Sequence, residues 1–507
     1  MQTHLLHPSP LSLDHLADWF QPGATFSLSD ESREAIVRCR EYLEAKLSSG
    51  QDVIYGVNTG FGALCHVTIS PAETAALQLN LVRSHAVGVG NPVPDPIVRG
   101  MLLLKVRALA YGHSGVRIET VQRLLDMVNE DVLPVIPEQG SLGASGDLAP
   151  LAHLSLPLIG EGEVRHKGSR MPASEALASL GWKPLQLGAK EGLALINGTQ
   201  FMLAYSLFGQ RKAERLAALA DLVAAISFEA RGARLDALDT GIQALRGHPG
   251  HALSAGRILQ WLSGSPGSDM PRYQVQDNYS FRCTPQVHGA SLDAMVHTRQ
   301  VFTRELNAVT DNPLLFPDRD AVISGGNFHG QPLALPLDYL AIAVAELGSI
   351  AERRTYRLLA GEKSLPPFLT KGSGLHSGLM IPHYTAAALV SQSKQLCMPS
   401  SVDSIPSSNE QEDHVSMGAN GATKLLRVLD NTEMVLSIAF MTAAQALDLQ
   451  RPGLRSSNAI ENIMLLYRKR VPMLEEDRWL QPDMLATREF LSELKSLDGE
   501  EEQDLRR

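Results

Sequence analysis

The sequence has few cysteines, few aromatic residues and no concentration of basic charge. Its four cysteines have no paired spacing, which excludes a disulfide framework and a zinc pattern and predicts reduced, buried thiols, as in the cytoplasm. The net charge of −10 is spread along the chain, and without a basic stripe we expect no nucleic-acid partner. Sixteen histidines include no helical pair with metal-ligand spacing, so no metal site is expected.

Long hydrophobic runs are also missing. No stretch approaches the roughly 20 apolar residues that cross a bilayer. The first residues, Met1 to His4, lack the basic segment and apolar core of a signal peptide. The sequence therefore predicts no membrane partner and a cytoplasmic location.

What the chain does have is a composition dominated by alanine and leucine, which favours helices. Proline and glycine boundaries and apolar residues at three- and four-residue steps predict helices at residues 96–111, 199–230, 285–309, 336–359 and 418–449. Strands are expected to be few, because no stretch alternates with period two. We predict a mainly α protein, with a loop-rich domain at residues 1–200 and a long-helix bundle at residues 201–507.

The tripeptide Ala144-Ser145-Gly146 lies in the glycine-dense run of residues 140–150. In such a loop the amide nitrogen of Gly146 can attack the carbonyl carbon of Ala144. Loss of two waters then gives a methylidene-imidazolone, whose exocyclic carbon comes from Ser145. This ring is an electron sink made from main chain, a role usually left to a bound cofactor. Taken alone, the tripeptide is better interpreted as an ordinary loop before a helix, with Asp147 as the helix-start residue.

The surrounding motifs favour the first interpretation. Together they resemble the aromatic amino acid ammonia-lyases, a family that builds this electrophile from Ala-Ser-Gly. The motifs are YGVNTGFG (55–62), NLVRSH (80–85), GSLGASGDLAPLAHLSLPLIG (140–160), GLALINGT (192–199), VQDNYSFR (275–282), ELNAVTDNP (305–313), GGNFHG (325–330) and NEQEDHVSMG (409–418).

The resemblance implies a catalytic apparatus without an external cofactor. It implies a methylidene-imidazolone formed autocatalytically from Ala144, Ser145 and Gly146. Tyr55 is implied to be the base that takes a proton from the substrate β-carbon, and Tyr279 to help form or assist the electrophile. A phenol is a weak base unless positive charge or hydrogen-bond donors favour the phenolate. The family resemblance also implies a long-helix bundle fold and a homotetramer whose active sites combine residues of several subunits.

Further residues are implied to bind the substrate. Arg282 is implied to pair with the substrate carboxylate, for which a bidentate guanidinium is well suited. Its spacing of three residues from Tyr279 predicts that a helical turn places the two on one side. Asn197 and Gln276 match family amides that hydrogen-bond the imidazolone oxygen or the substrate, and Phe328 matches a phenylalanine that packs near the electrophile.

Two residues bear on which amino acid is the substrate. His85 matches a histidine that faces the substrate side chain, but relatives that deaminate tyrosine can also carry histidine there. Glu412 is more informative, because a carboxylate can accept the N–H of an imidazole, which phenylalanine lacks. The resemblance thus implies elimination of ammonia from L-histidine to give trans-urocanate, the first step of histidine degradation. A tyrosine or phenylalanine lyase or aminomutase, and a helical scaffold without activity, remain as alternatives.

Overall fold

A computed structural model describes residues 3–49, 54–265, 275–362, 364–450 and 455–494. The described residues form a mainly α fold, as the sequence predicts. The helices are α1 (Asp30–Ser49), α2 (Thr74–His85), α3 (Asp95–Ala110), α4 (Ile118–Asn129), α5 (Leu148–Ser155), α6 (Ala173–Ser179), α7 (Glu191–Ile196), α8 (Gln200–Arg231), α9 (Thr240–Arg246), α10 (Pro249–Trp261), α11 (Tyr279–Arg282), α12 (Thr284–Leu306), α13 (Gln331–Leu359), α14 (Met380–Leu396), α15 (Gly418–Leu449), α16 (Asn458–Arg468) and α17 (Gln481–Ser492).

All five predicted helices are present, as α3, α8, α12, α13 and α15. Two boundaries differ from the prediction. The helix expected from residue 336 begins five residues earlier, with Pro336 inside its second turn. Pro336 lacks the N–H that another residue in this second turn would donate within the helix, and α13 nevertheless continues through it. At the other end, α12 stops at Leu306 rather than at residue 309.

The described strands are three or four residues long and pair into four small sheets. Two strands pair in parallel, and the others are antiparallel. The strands are β1 (Thr3–Leu6), β2 (Thr25–Leu28), β3 (Val89–Pro92), β4 (Val132–Pro134), β5 (Pro137–Gln139), β6 (Glu163–His166), β7 (Ser169–Pro172), β8 (Leu314–Phe316) and β9 (Ala321–Ile323). Their order is β1-β2, β3-β5, β4-β6-β7 and β8-β9.

The chain forms two compact units. The first consists of residues 1–208, 299–338 and 399–423, and it holds every strand among the described residues. The second consists of residues 209–298, 339–398 and 424–507. The sequence predicts one division near residue 200, into consecutive stretches, whereas these units are interleaved along the chain. They interleave because α8, α12, α13 and α15 each contribute residues to both units.

Helix α13 corrects one expectation about hydrophobic runs. By length and composition it could cross a membrane, so the statement that no stretch approaches that length is wrong for this segment. Its most apolar window is 67% buried inside the protein. A buried core helix meets the same criteria as a membrane span, and α13 has the burial of a core helix.

The four cysteines are free thiols. Cys39 is buried, and burial raises the pKa of its thiol to about 11. Cys283 and Cys397 are half-buried, and Cys65 is exposed, so the prediction that all four are buried is wrong. Cys65 is the C-cap residue of the short 3-10 helix Gly62–Leu64.

Candidate active site

The tripeptide Ala144-Ser145-Gly146 forms a tight turn in the first unit. Gly143, Ser145 and Gly146 all have positive φ, of 89°, 51° and 83°. The N–H of Gly146 points back to the carbonyl oxygen of Gly143 at 3.4 Å. A positive φ at a serine is uncommon and is typical of strained functional segments. The backbone around Ser145 is thus folded on itself rather than extended.

Gly198 holds this turn from one side. Its N–H donates to the carbonyl oxygen of Ser145 at 3.3 Å, and its own carbonyl accepts from the N–H of Asp147 at 2.8 Å. A Cβ placed on Gly146 would lie 2.1 Å from the Gly198 oxygen and 3.0 Å from the Phe328 oxygen. Only glycine fits at position 146, so this cradle suits a compact group made from main-chain atoms.

Residues from far along the chain form the opposite wall. Ala144 is buried against Val415 and Met417, with Leu142 packed beside them. The N–H of Met417 donates to the carbonyl oxygen of Leu142 at 3.2 Å. The segment before α15 therefore packs against the Ala-Ser-Gly turn.

Asp147 fixes the end of the turn. It precedes α5, as a helix-start residue would, but its side chain caps a different helix. Oδ2 accepts the N–H groups of Phe201 and Met202 at the start of α8, each at 3.0 Å. Oδ1 has no hydrogen-bond partner within the described ranges, and burial raises the pKa of Asp147 to about 7. The first turn of α8 and the Ala-Ser-Gly turn are thereby tied to one side chain.

Tyr55 lies in the glycine-rich segment 55–62. Its hydroxyl oxygen accepts the N–H of Gly62 at 3.0 Å, and its ring stacks on Phe61 with 5.8 Å between centroids. Burial raises the pKa of Tyr55, and the Gly62 donor opposes this only in part. A donor to the phenolate is therefore present, but no cation within the described part of the chain lowers the pKa of Tyr55.

His85 is the last residue of α2. Its ring makes a T-shaped contact with Phe61, with ring centroids 5.4 Å apart. Nδ1 lies 2.8 Å from the carbonyl oxygen of Leu81. Because a carbonyl can only accept, Nδ1 carries the proton, which leaves Nε2 as an acceptor in the neutral ring. Burial lowers the pKa of His85, so the neutral form is favoured.

Glu412 is half-buried in the segment before α15. Its Oε2 accepts the hydroxyl of Ser407 at 2.6 Å, and the backbones of the two residues exchange hydrogen bonds of 3.1 and 3.3 Å. The carboxylate raises the pKa of both Tyr55 and His85. Tyr55, His85 and Glu412 therefore lie close enough to interact electrostatically. Ser407 bonds to Oε2 of Glu412, which leaves Oε1 as the acceptor for a substrate.

Asn197 and Phe328 contact the turn through the backbone. Asn197 follows α7, its side chain is 1% exposed, and its Oδ1 has no hydrogen-bond partner in the portion of the chain that is described. Phe328 is half-buried, and its carbonyl oxygen faces Gly146. A buried amide oxygen without a partner is costly and marks a place where a ligand or further group can bind.

The remaining predicted residues lie together in the second unit. Gln276, Tyr279 and Arg282 line an open cavity of about 530 Å³. The predicted helical turn is present as α11, and the guanidinium of Arg282 lies 4.5 Å from the ring centre of Tyr279. Tyr279 is 70% exposed. The Nε of Arg282 is buried and has no partner among residues that the structure describes.

Comparisons with known proteins agree with these motifs. The family model for aromatic amino acid lyases matches residues 11–469. The chain belongs to the aromatic amino acid lyase family. It is 52% identical to a histidine ammonia-lyase of Symbiobacterium thermophilum over 95% of each chain. A solved histidine ammonia-lyase from Trypanosoma cruzi is 42% identical, with a TM-score of 0.90 over 100% of this chain and 95% of that one.

Other members of the aromatic amino acid lyase family have the same fold and act differently. A tyrosine aminomutase from Streptomyces globisporus is 34% identical, with a TM-score of 0.90 over 100% of this chain and 99% of that one. The family and the ammonia-lyase class of enzyme are therefore established for this chain by similarity. The choice among amino acids depends on individual side chains.

Sequence reasoning did not assign a role to two residues of this lyase site. Gly198 belongs to the motif GLALINGT, but its bonds to the Ser145 and Asp147 backbone became visible only in the structure. Phe61, between Tyr55 and His85, belonged to the glycine-rich motif and could have been identified from it. Among the described residues, no cluster of three or more His, Cys, Asp or Glu could hold a metal ion.

Proposed function

We propose that this chain is a histidine ammonia-lyase that converts L-histidine to trans-urocanate and ammonia, the first step of histidine degradation. The observation that carries the proposal is the group of three side chains formed by Tyr55, His85 and Glu412. Glu412 offers a carboxylate and His85 a neutral acceptor nitrogen, and Glu412 acts electrostatically on both His85 and Tyr55. A site with such acceptors suits an imidazole with its N–H donor and disfavours a plain phenyl ring.

The turn itself fits a methylidene-imidazolone made from Ala144, Ser145 and Gly146. Gly146 has no room for a side chain, and the carbonyl oxygen of Ser145 already receives the Gly198 N–H. When present, this group supplies an electrophilic carbon without any external cofactor. The chain's own residues hold its oxygen and exclude water from the buried side of the turn.

For the remaining residues we propose the roles that the family resemblance implies. Tyr55 takes the proton from the substrate β-carbon, Arg282 binds the carboxylate, and Tyr279 assists at the electrophile. Asn197, with its unpartnered amide oxygen, and Gln276 hydrogen-bond the substrate or the ring. Phe328 packs beside the turn. Because burial and the Glu412 carboxylate raise the pKa of Tyr55, its action as a base requires a cation or a further donor brought in on assembly or with the substrate.

We also propose a homotetramer in the cytoplasm, with active sites shared between subunits. The proposed residues belong partly to the first unit and partly to the second, and α13 exposes Leu335, Tyr339 and Ile342 at positions that share one helix face. Exposed apolar side chains in such a row support burial against another copy. The four free thiols suit a reducing compartment.

The direct test is urocanate formation by purified protein without added cofactor. L-histidine, L-tyrosine and L-phenylalanine are compared as substrates, and the intact mass is measured on the same sample. We expect a mass lower by two waters and turnover of histidine alone. Turnover of tyrosine, or a β-amino acid product, would assign the chain to the lyase or aminomutase alternatives. A full mass without turnover would indicate a scaffold.

Arg282 gives a separate prediction about carboxylate binding. We expect Arg282→Gln to raise the KM for L-histidine by about 10- to 100-fold, because a charge-assisted bidentate contact is lost. Arg234→Gln is the control, since the Arg234 side chain pairs with Asp236 elsewhere in the same unit. Steady-state kinetics of the two variants checks this. An unchanged KM in Arg282→Gln would remove the residue from the substrate site.

A further inference from the structure

Lys105 is a fully buried lysine on α3, and none of the roles proposed above involves it. Its side chain is 1% exposed. Nζ donates to the carbonyl oxygen of Asn197 at 2.6 Å and to that of Ala194 at 3.1 Å. Within the described ranges no carboxylate forms an ion pair with it, whereas the neighbouring Lys190 pairs with Asp311 at 2.7 Å. A buried ammonium group is costly unless it is paired, so this one requires an explanation.

The acceptor at 2.6 Å belongs to a peptide group that also touches the Ala-Ser-Gly turn. The carbonyl of Asn197 and the N–H of Gly198 are the two ends of one peptide unit. In a trans peptide these groups point in opposite directions. The Asn197 oxygen thus receives Lys105 on one side, while the Gly198 N–H donates to the Ser145 oxygen on the other, at 3.3 Å.

We infer that Lys105 is a positioning residue of the active site, which polarises the Asn197–Gly198 peptide and strengthens the hydrogen bond from Gly198 to the Ser145 oxygen. This rests on the proposed function, in which the Ser145 carbonyl is conjugated with the electrophilic carbon. Electron density accepted at that carbon moves toward the Ser145 oxygen. A preorganised donor at that oxygen is therefore worth more as charge develops. Linked hydrogen bonds strengthen one another in a buried site.

The local charges are consistent with this role. Burial lowers the pKa of Lys105 to about 7, and Lys190 acts in the same direction. Asp311 and Asp147 oppose this by raising it. Part of the population therefore carries the ammonium charge at neutral pH, without a partner close enough to cancel it. Of the two carbonyls that Nζ contacts, the nearer is that of Asn197, which Nζ approaches on the side of the peptide away from the turn.

A purely structural role is the alternative, because Lys105 also satisfies carbonyls at the end of α7. Two variants distinguish the roles. Lys105→Met keeps the length of the side chain without charge or donor, and Lys105→Gln keeps a donor without charge. Each is examined for its intact mass, its melting temperature, its near-ultraviolet absorption and its dissociation constant for cyanide, a small nucleophile that needs no substrate site.

We expect both variants to lose two waters as the parent chain does. Their cyanide affinity should fall by about tenfold, less than the roughly 100-fold cost of removing a direct donor to an oxyanion. The near-ultraviolet band should shift to shorter wavelength, because a weaker hydrogen bond to a conjugated carbonyl raises its excitation energy. The KM for histidine should change little while kcat falls.

Arg99→Met is the matched control. Arg99 is also a buried cation on α3, but it donates to the carbonyl of Val128, away from the turn. It should lower the melting temperature and leave the cyanide affinity and the absorption band unchanged.

Three outcomes would overturn the inference. They are folded, dehydrated Lys105 variants with parental cyanide affinity and absorption, folded variants that keep both waters, and failure of both variants to fold. The last two would assign Lys105 to ring formation or to stability. Failure of the proposed function has a different signature, since the parent chain itself would then have a full mass and no affinity for cyanide.

Discussion

Ser145→Ala is expected to lower the rate of urocanate formation by a factor on the order of 10³ or more, because no other group of the chain can accept substrate electrons. Alanine has no hydroxyl to lose, so the exocyclic double bond cannot form. The fold should be close to normal, since the change removes one oxygen and the turn is held through its backbone. Activity, intact mass and melting temperature of one preparation provide the measurement.

Ser155→Ala is the control for this substitution. Ser155 is also a buried serine of the first unit, and its hydroxyl donates to the carbonyl of Leu151 within α5. It should retain activity and the mass deficit of two waters. Retained turnover in Ser145→Ala would refute the electrophile and, with it, the proposed reaction.

Glu412→Gln is expected to reduce kcat/KM for histidine by roughly 100-fold or more. The amide keeps the shape and can still accept from Ser407, but it loses the charge that receives an imidazole N–H and stabilises an imidazolium. When a binding site and a substrate no longer match in a buried hydrogen bond, the rate with that substrate falls by factors of this size or larger. Steady-state kinetics with L-histidine provides the measurement, and the variant should also be assayed with L-phenylalanine.

Glu410→Gln is the matched control, because Glu410 lies two residues away and is exposed. It should behave as the parent chain does. Parental rates in Glu412→Gln would place Glu412 outside the site and leave the tyrosine and phenylalanine alternatives open.

The sequence predicted the long helices well because their signals are local. Proline and glycine mark the ends of α3, α8 and α15, and the apolar spacing inside them has the helical period. The interleaved order of the two compact units could not be predicted from such local signals. A helix that contributes residues to two units has the same apolar periodicity as one that belongs to a single unit. Which residues form each unit becomes visible only from contacts between distant residues.

In the candidate site, too, the sequence predicted local features but not contacts between distant residues. Motifs identified the residues of the Ala-Ser-Gly turn, and α11 has the predicted turn from Tyr279 to Arg282. The contacts that hold the turn were not predictable, since Lys105 and Asn197 are 92 residues apart and Asp147 caps a helix 53 residues further on. The acidity of Tyr55 was not predictable either, because it depends on how deeply the ring is buried.

The walls around the Ala-Ser-Gly turn have a consequence for how the protein is made. Gly198, Phe328 and Met417 are synthesised about 50 to 270 residues after Gly146, so the complete cradle cannot form until translation has passed Met417. Under the proposed chemistry, a polypeptide that has not yet folded carries no reactive carbon with which to modify its neighbours. Dehydration is covalent and outlasts later unfolding. The mass of each molecule would therefore be a permanent record that it had once reached its native state.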